Sequence, residues 1–132
     1  MREIERKILL VDDEPANLEM LIEALEQRHQ VIVAINGERA LKLAVVEPRP
    51  DLILLDVVMP GMDGYEVCRR LKADARTAGI PVIFITARHS AEDEQLGLDV
   101  GAVDYIPKPF RLAIVQRRVD AYLALYAQQQ RE

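Results

Sequence analysis

The sequence predicts an α/β domain: a doubly wound, five-stranded parallel sheet in the order 2-1-3-4-5, covered on its two faces by five helices. Three observations carry that expectation. Five short runs rich in Val, Ile and Leu recur along the chain: Ile8 to Val11, Val31 to Ile35, Leu52 to Leu55, Val82 to Ile85 and the weaker Val103 to Ile106. Continuous apolar runs of this length fit strands buried on both faces. Amphipathic stretches separate the runs, the pattern of repeated strand-helix units. Finally, the first and third runs end in acids, Asp12-Asp13 and Asp56, which a parallel sheet delivers to its carboxyl rim, where ligands bind in this architecture.

Each helix has its own signal. Leu18, Leu21, Ile22 and Leu25 fall at i, i+3, i+4 and i+7, with Pro15 acceptable in the first turn. The second helix follows Asn36-Gly37, is carried by Ala40, Leu41, Ala44 and Val45, and must stop before Pro48 because the residue before a proline avoids helical geometry. The third carries Val67, Cys68 and Leu71. The fourth, near Ala91 to Val100, is the weakest: it has only Leu96 and Leu98, and the internal Gly97 lowers its helix propensity. Such a helix is expected to be short or mobile. The fifth has a stripe of Leu112, Val115, Val119, Tyr122 and Tyr126; core packing is the expectation, since a coiled coil needs about three or more sustained heptads. The domain is expected to occupy residues 1–126, with 127–132 a tail or the start of a linker.

The 132 residues, half of them hydrophobic, fit one domain with one substantial core. With 17 basic and 22 acidic residues the formal net charge is -5, which argues against non-specific nucleic-acid binding. The lone Cys68 cannot form an internal disulfide and reads as a small buried hydrophobe. The charged segment Met1 to Lys7 lacks the apolar stretch of a signal peptide, and no later run is long enough to span a bilayer, so an intracellular, cytoplasmic protein without membrane partners is expected. His29 and His89 read as surface residues.

In the predicted strand order the first and third strands are neighbours, so Asp12, Asp13 and Asp56 converge at the topological switch point. Three close carboxylates repel one another unless a divalent cation lies between them, and hard oxygen donors suit Mg2+. One of them can then act as a nucleophile toward phosphorus. Blander roles exist for each piece. Asp12-Asp13-Glu14 before Pro15 can cap a helix, Pro60-Gly61 and Asp63-Gly64 are ordinary turn dipeptides, Thr86 can end a strand, and Lys108 can be a solvated surface charge. The joint order of acid pair, acid, hydroxyl and lysine at four strand ends is far more specific than any of its parts.

On the motifs Val11-Asp12-Asp13-Glu14, Asp56-Val57-Val58-Met59-Pro60-Gly61-Met62-Asp63-Gly64, Ile85-Thr86-Ala87 and Tyr105-Ile106-Pro107-Lys108-Pro109-Phe110, the chain resembles the receiver domain of two-component response regulators over nearly its whole length. The resemblance implies a flavodoxin-like fold and a phosphorelay role. Asp56 would be the phosphoacceptor, taking its phosphoryl group from a histidine kinase or phosphotransfer protein. Asp13, Asp56 and the backbone carbonyl of Val58 would ligate Mg2+ directly, with Asp12 acting through a water. Lys108 and the backbone N-H of Ala87 would contact the phosphoryl oxygens, while Val58 and Arg88 flank the site. Thr86 and Tyr105 would form the switch, changing the surface of the fourth helix, fifth strand and fifth helix that controls an output domain or effector, and offering a face for a homodimer. A cis Lys108-Pro109 bond would aim the lysine inward. Such a protein is a signalling phosphoacceptor and not an enzyme beyond its own phosphoryl transfer and slow dephosphorylation.

Competing functions fit less well. A flavin carrier of the same architecture needs Ser, Thr and Gly donors after the first strand, where Asp12-Asp13-Glu14 would repel phosphate. A haloacid dehalogenase-type hydrolase needs an acid two residues after the nucleophile, where Val58 stands. The strongest competitor is a receiver-like docking adaptor that is not phosphorylated, against which the intact acid, Thr and Lys set argues.

Overall fold

The computed structural model describes residues 6–130, with side chains as far as Ala127. Five strands alternate with five helices: β1 (Lys7–Val11), α1 (Pro15–Leu25), β2 (Gln30–Ala34), α2 (Gly37–Ala44), β3 (Leu52–Leu55), α3 (Gly64–Ala73), β4 (Val82–Thr86), α4 (Ala91–Asp99), β5 (Asp104–Pro107) and α5 (Leu112–Gln130). All strand pairs are parallel, in the order β2-β1-β3-β4-β5, as the sequence predicts. The residues expected as a tail lie partly outside those described; α5 itself continues to Gln130.

The pleat sorts the apolar side chains. Leu9, Val11, Ile53, Leu55, Val82 and Phe84 pack with α2 and α3 residues such as Ala40, Val67 and Leu71 on one face. Their neighbours Ile8, Leu10, Leu52, Leu54, Ile83 and Ile85 pack with Leu21, Leu25, Val115, Val119 and Leu123 of α1 and α5 on the other. Period-two alternation across a sheet covered on both sides produces two half-cores from runs that look uniformly apolar. The α5 stripe therefore serves core packing through Val115 and Val119, with Leu112 and Tyr122 at its margin.

The edge elements depart from expectation by small amounts. β2 begins at Gln30 and stops at Ala34, leaving Ile35 exposed, and β5 begins at Asp104. Larger differences occur at α4. Leu96 and Leu98, expected to carry its buried face, are exposed, and Gly97 is the buried residue. A Cβ on Gly97 would lie 2.7 Å from the Tyr105 ring and 3.2 Å from Phe84, so the glycine permits a close helix-ring approach that a side chain would block. The start of α4 is fixed by a reciprocal capping box between Ser90 and Asp93. His29 also differs from its expected surface position. Its side chain is only 10% exposed and its Nε2 lies 3.2 Å from Asp120 of α5, because the end of α1 tucks against that helix. His89 is exposed. Two X-Pro bonds are cis: Lys108-Pro109, as the resemblance implied, and Glu47-Pro48, which no reading of the sequence anticipated.

Candidate functional site

Two central strands aim the site. Asp56 N-H donates to the Val11 carbonyl (2.9 Å) and Asp12 N-H to the Ala34 carbonyl (3.2 Å), so the sheet ladder continues one residue past the apolar runs and sets both acids at its carboxyl rim. Both are buried, 5% and 2% exposed, while Asp13 is exposed. One carboxylate oxygen from each of Asp12, Asp13 and Asp56 lies within 4.8 Å of the other two. That spacing of hard oxygen donors fits a divalent cation such as Mg2+.

The fifth strand supplies the counter-charge. Lys108 N-H donates to the Thr86 carbonyl (2.8 Å), continuing the β4-β5 ladder, and its side chain turns into the cleft. Its Nζ donates to Asp12 Oδ2 at 3.0 Å and to Asp56 Oδ2 at 2.9 Å, with Glu14 Oε1 farther off at 3.9 Å. Burial raises the Asp12 carboxyl above its ordinary range, an effect offset only in part by the Glu14 N-H and by Lys108. For Lys108 burial acts to lower the ammonium, but hydrogen bonds from it to Asp56 and Asp12 outweigh burial and hold it above the usual lysine value. The site therefore stores negative charge balanced by one semi-buried cation.

The wall after β3 is built by a close approach. Gly64 N-H donates to the Val57 carbonyl (2.9 Å), and a Cβ at Gly64 would fall 2.2 Å from the Asp56 carbonyl oxygen. Asp63-Gly64, which as a dipeptide could be an ordinary turn, is a helix start: Asp63 caps α3 by accepting from Glu66 N-H at 2.9 Å, and Gly64 lets that helix rest on the backbone of Asp56. The Val58 N-H donates to Asp56 Oδ1 at 3.2 Å. Val58, Met59, Pro60, Ala87, Glu14, Asp13, Asp56 and Lys108 line the resulting open cleft.

Of the residues singled out from sequence, Asp12, Asp13, Asp56 and Lys108 converge, and Val58 and Ala87 join them in the cleft. Thr86 and Tyr105 do not line it. Thr86 is fully buried, and its Oγ1 accepts from Arg88 N-H at 3.3 Å. Tyr105 is also buried, its hydroxyl donating to the Arg88 carbonyl at 2.6 Å. Tyr65 is a contributor that sequence reasoning missed. Its hydroxyl lies 2.9 Å from that of Tyr105, a meeting across 40 positions for which the sequence holds no local signal.

A rim of acids from β1 and β3 with a lysine from β5 is the arrangement on which the comparisons with known proteins converge. The family model for the response regulator receiver domain matches residues 8–120. The chain belongs to that family. A probable cyclic di-GMP phosphodiesterase of Vibrio cholerae is 44% identical over 116 residues, 88% of this chain and 26% of that protein. Protein PilH of Pseudomonas aeruginosa is 40% identical over 119 residues, 89% of this chain and 98% of that protein. The receiver domain of the sensor histidine kinase PA1611 from Pseudomonas aeruginosa, solved with magnesium coordinated in its active-site cleft, is 31% identical with a TM-score of 0.83, covering 92% of this receiver and 99% of that chain. The chain spans about half the length, or less, of the first curated relatives it matches. Among the described residues no helix is long and apolar enough to cross a membrane.

Proposed function

We propose that this receiver takes a phosphoryl group onto Asp56 from the phosphohistidine of a histidine kinase or phosphotransfer protein. An Asp56 carboxylate oxygen forms the bond to phosphorus as the bond to the donor's imidazole nitrogen breaks, and the departing imidazole takes up a proton. The observation that carries this reading is the Lys108 ammonium seated 2.9 Å from Asp56 and 3.0 Å from Asp12, in a cleft open beside Asp13 and Ala87. Phosphoryl transfer asks little of a protein except position and charge.

Asp13, Asp56 and the Val58 carbonyl would hold Mg2+ directly, with Asp12 acting through a water; when bound, the ion supplies positive charge against the clustered acids and the phosphoryl oxygens. Lys108 neutralises a phosphoryl oxygen while keeping its bond to Asp12. The Val58 N-H, already on Asp56, orients the nucleophile, and the Ala87 N-H contacts a further oxygen. Val58, Met59 and Pro60 limit the approach of water from one side of the cleft. The chain is a signalling phosphoacceptor that catalyses only its own transfer and slow dephosphorylation.

The output is a shift in conformation. Thr86 swings its hydroxyl to the phosphoryl group, Tyr105 occupies the space behind it, and the surface of α4, β5 and α5 changes. Leu96 and Leu98 on α4, exposed as they are, support this surface as the contact for an output domain, an effector or a second receiver. The protein works in the cytoplasm, where kinases of this kind present their phosphohistidine. Incubation with acetyl phosphate and Mg2+, read by intact mass, tests the reading: a phosphoryl adduct is expected on the native chain and lost in Asp56→Asn. No adduct, or an equal one on Asp56→Asn, overturns it and leaves a docking adaptor.

A further inference from the structure

Tyr65 is the second residue of α3 and is 4% exposed. Its ring meets Phe84 edge-on, centroids 5.3 Å apart, and Phe84 in turn lies 5.6 Å from Tyr105. The Tyr105 ring also packs against Gly97 in α4, where a Cβ would fall 2.7 Å from that ring and 3.2 Å from Phe84. The proton count of the two hydroxyls is informative. Tyr105 donates to the Arg88 carbonyl at 2.6 Å, so the 2.9 Å bond between the hydroxyls needs the Tyr65 proton, and that same proton is also offered to the Asp93 carbonyl at 3.0 Å in the first turn of α4. Burial pushes both phenols up from their ordinary values, so both keep their protons at working pH.

We propose that Tyr65 is a positioning residue of the switch: its hydroxyl clamps Tyr105 in the inward position, against Phe84 and Gly97, and ties that position to the first turn of α4. The inference rests on the phosphoacceptor reading only for its link to the cleft. An outward swing of Tyr105 must break its bonds to Arg88 and to Tyr65, and the second of these is lost only because position 65 bears a hydroxyl. Tyr65→Phe keeps the edge-on contact with Phe84 and removes that tether together with the bond to the Asp93 carbonyl. The inward population then falls relative to the outward one by about three- to tenfold, the usual worth of one buried neutral hydrogen bond. A ligand that selects the inward form loses affinity by up to the same factor.

The chain has four tyrosines, so ring signals from tyrosine-labelled protein are resolvable by NMR. In Tyr65→Phe the Tyr105 signals are expected to move toward an exposed, exchanging ring, and beryllofluoride with Mg2+ is expected to return them inward with a several-fold weaker affinity. Affinity for Mg2+ alone is expected to stay at the native level, since none of the acids touches the tyrosine pair. In a double-mutant cycle with Tyr105→Phe, the two substitutions are expected to be non-additive. An unchanged Tyr105 ring population, full additivity, or an equal fall in Mg2+ affinity, which would mark general loosening, each overturns the clamp. Failure of the native chain to bind beryllofluoride overturns the phosphoacceptor reading instead, and the ring populations still decide the clamp.

Discussion

Lys108→Met should expose the cost of gathering buried acids. Met keeps most of the length of lysine and an apolar, unbranched stem but removes the charge that lies 3.0 Å from Asp12 and 2.9 Å from Asp56. The lysine side chain is 13% exposed and the two carboxylates 3% and 7%, so solvent compensates little. Removing one partner of a buried pair costs about 3–5 kcal/mol. Titration sets a ceiling on that cost, because a carboxyl with the ordinary value of 3.8 can take up a proton at pH 7 for about 4 kcal/mol. Burial already raises Asp12, which lowers the ceiling, so a loss toward the lower end of that range, about 3 kcal/mol, is expected at neutral pH. The signs follow from linkage. An acid with a raised folded value carries its penalty above that value and sheds it as pH falls, so the deficit of the variant should shrink toward pH 5. The native Lys108 contribution is complete below the ordinary 10.5 and is lost as pH rises through the raised folded value, so the gap should close at alkaline pH as well. Urea unfolding followed by circular dichroism, in EDTA and then in Mg2+, measures all of this, and Mg2+ should narrow the gap. A variant as stable as the native protein in EDTA at neutral pH, or a deficit indifferent to pH and to Mg2+, would refute the reasoning.

Other perturbations test other links. Gly64→Ala places a Cβ 2.2 Å from the Asp56 carbonyl oxygen and 2.8 Å from the Val57 Cα, both backbone, so urea titration should show a loss near the upper end of the ~1–3 kcal/mol typical of overpacking; Gly79→Ala, with nothing within 4 Å, is the control and should be near neutral. Asp63→Ala removes the α3 cap and should cost about 1 kcal/mol in the same titration, an unchanged midpoint counting against the cap. Burial pushes the Cys68 thiol up to about 11, so at pH 8 only about one molecule in a thousand carries the thiolate. Reaction with a disulfide reagent should therefore be negligible until urea unfolds the chain, and prompt native-state labelling would show the thiol to be accessible.

What the sequence discloses depends on how local the cause is. The acids at Asp12, Asp13 and Asp56 are legible because each directly follows an apolar run, and strand order brings the runs together. Lys108 is legible on the same ground. The Ser90 to Asp93 capping box also carries its signal within four residues. By contrast, Gly97 looks like a helix weakness in sequence and becomes a packing requirement only once Tyr105, on another element, lies against it. Tyr65 meets Tyr105, and His29 meets Asp120, across 40 and 91 positions, distances over which composition and periodicity say nothing. Thr86 falls between these cases: its place at the strand end is readable, while the burial of its hydroxyl depends on the turn taken by Arg88.

The alternation that divides the core also assigns the chemistry to sides. Asp12, Asp56 and Lys108 continue the phase of Leu10, Leu54 and Ile106, whose side chains face α1 and α5, whereas Thr86 and Tyr105 share the phase of Phe84 and face the opposite layer. The clustered charges and the buried Thr86 and Tyr105 thus sit on opposite sides of a single sheet, separated by the thickness of one backbone. Loss of one residue within β3 would invert that assignment, turning the Asp56 carboxylate toward Val67 and Cys68 while leaving every apolar residue of the strand apolar. Hydropathy alone would not register such a change, yet it would silence the cleft.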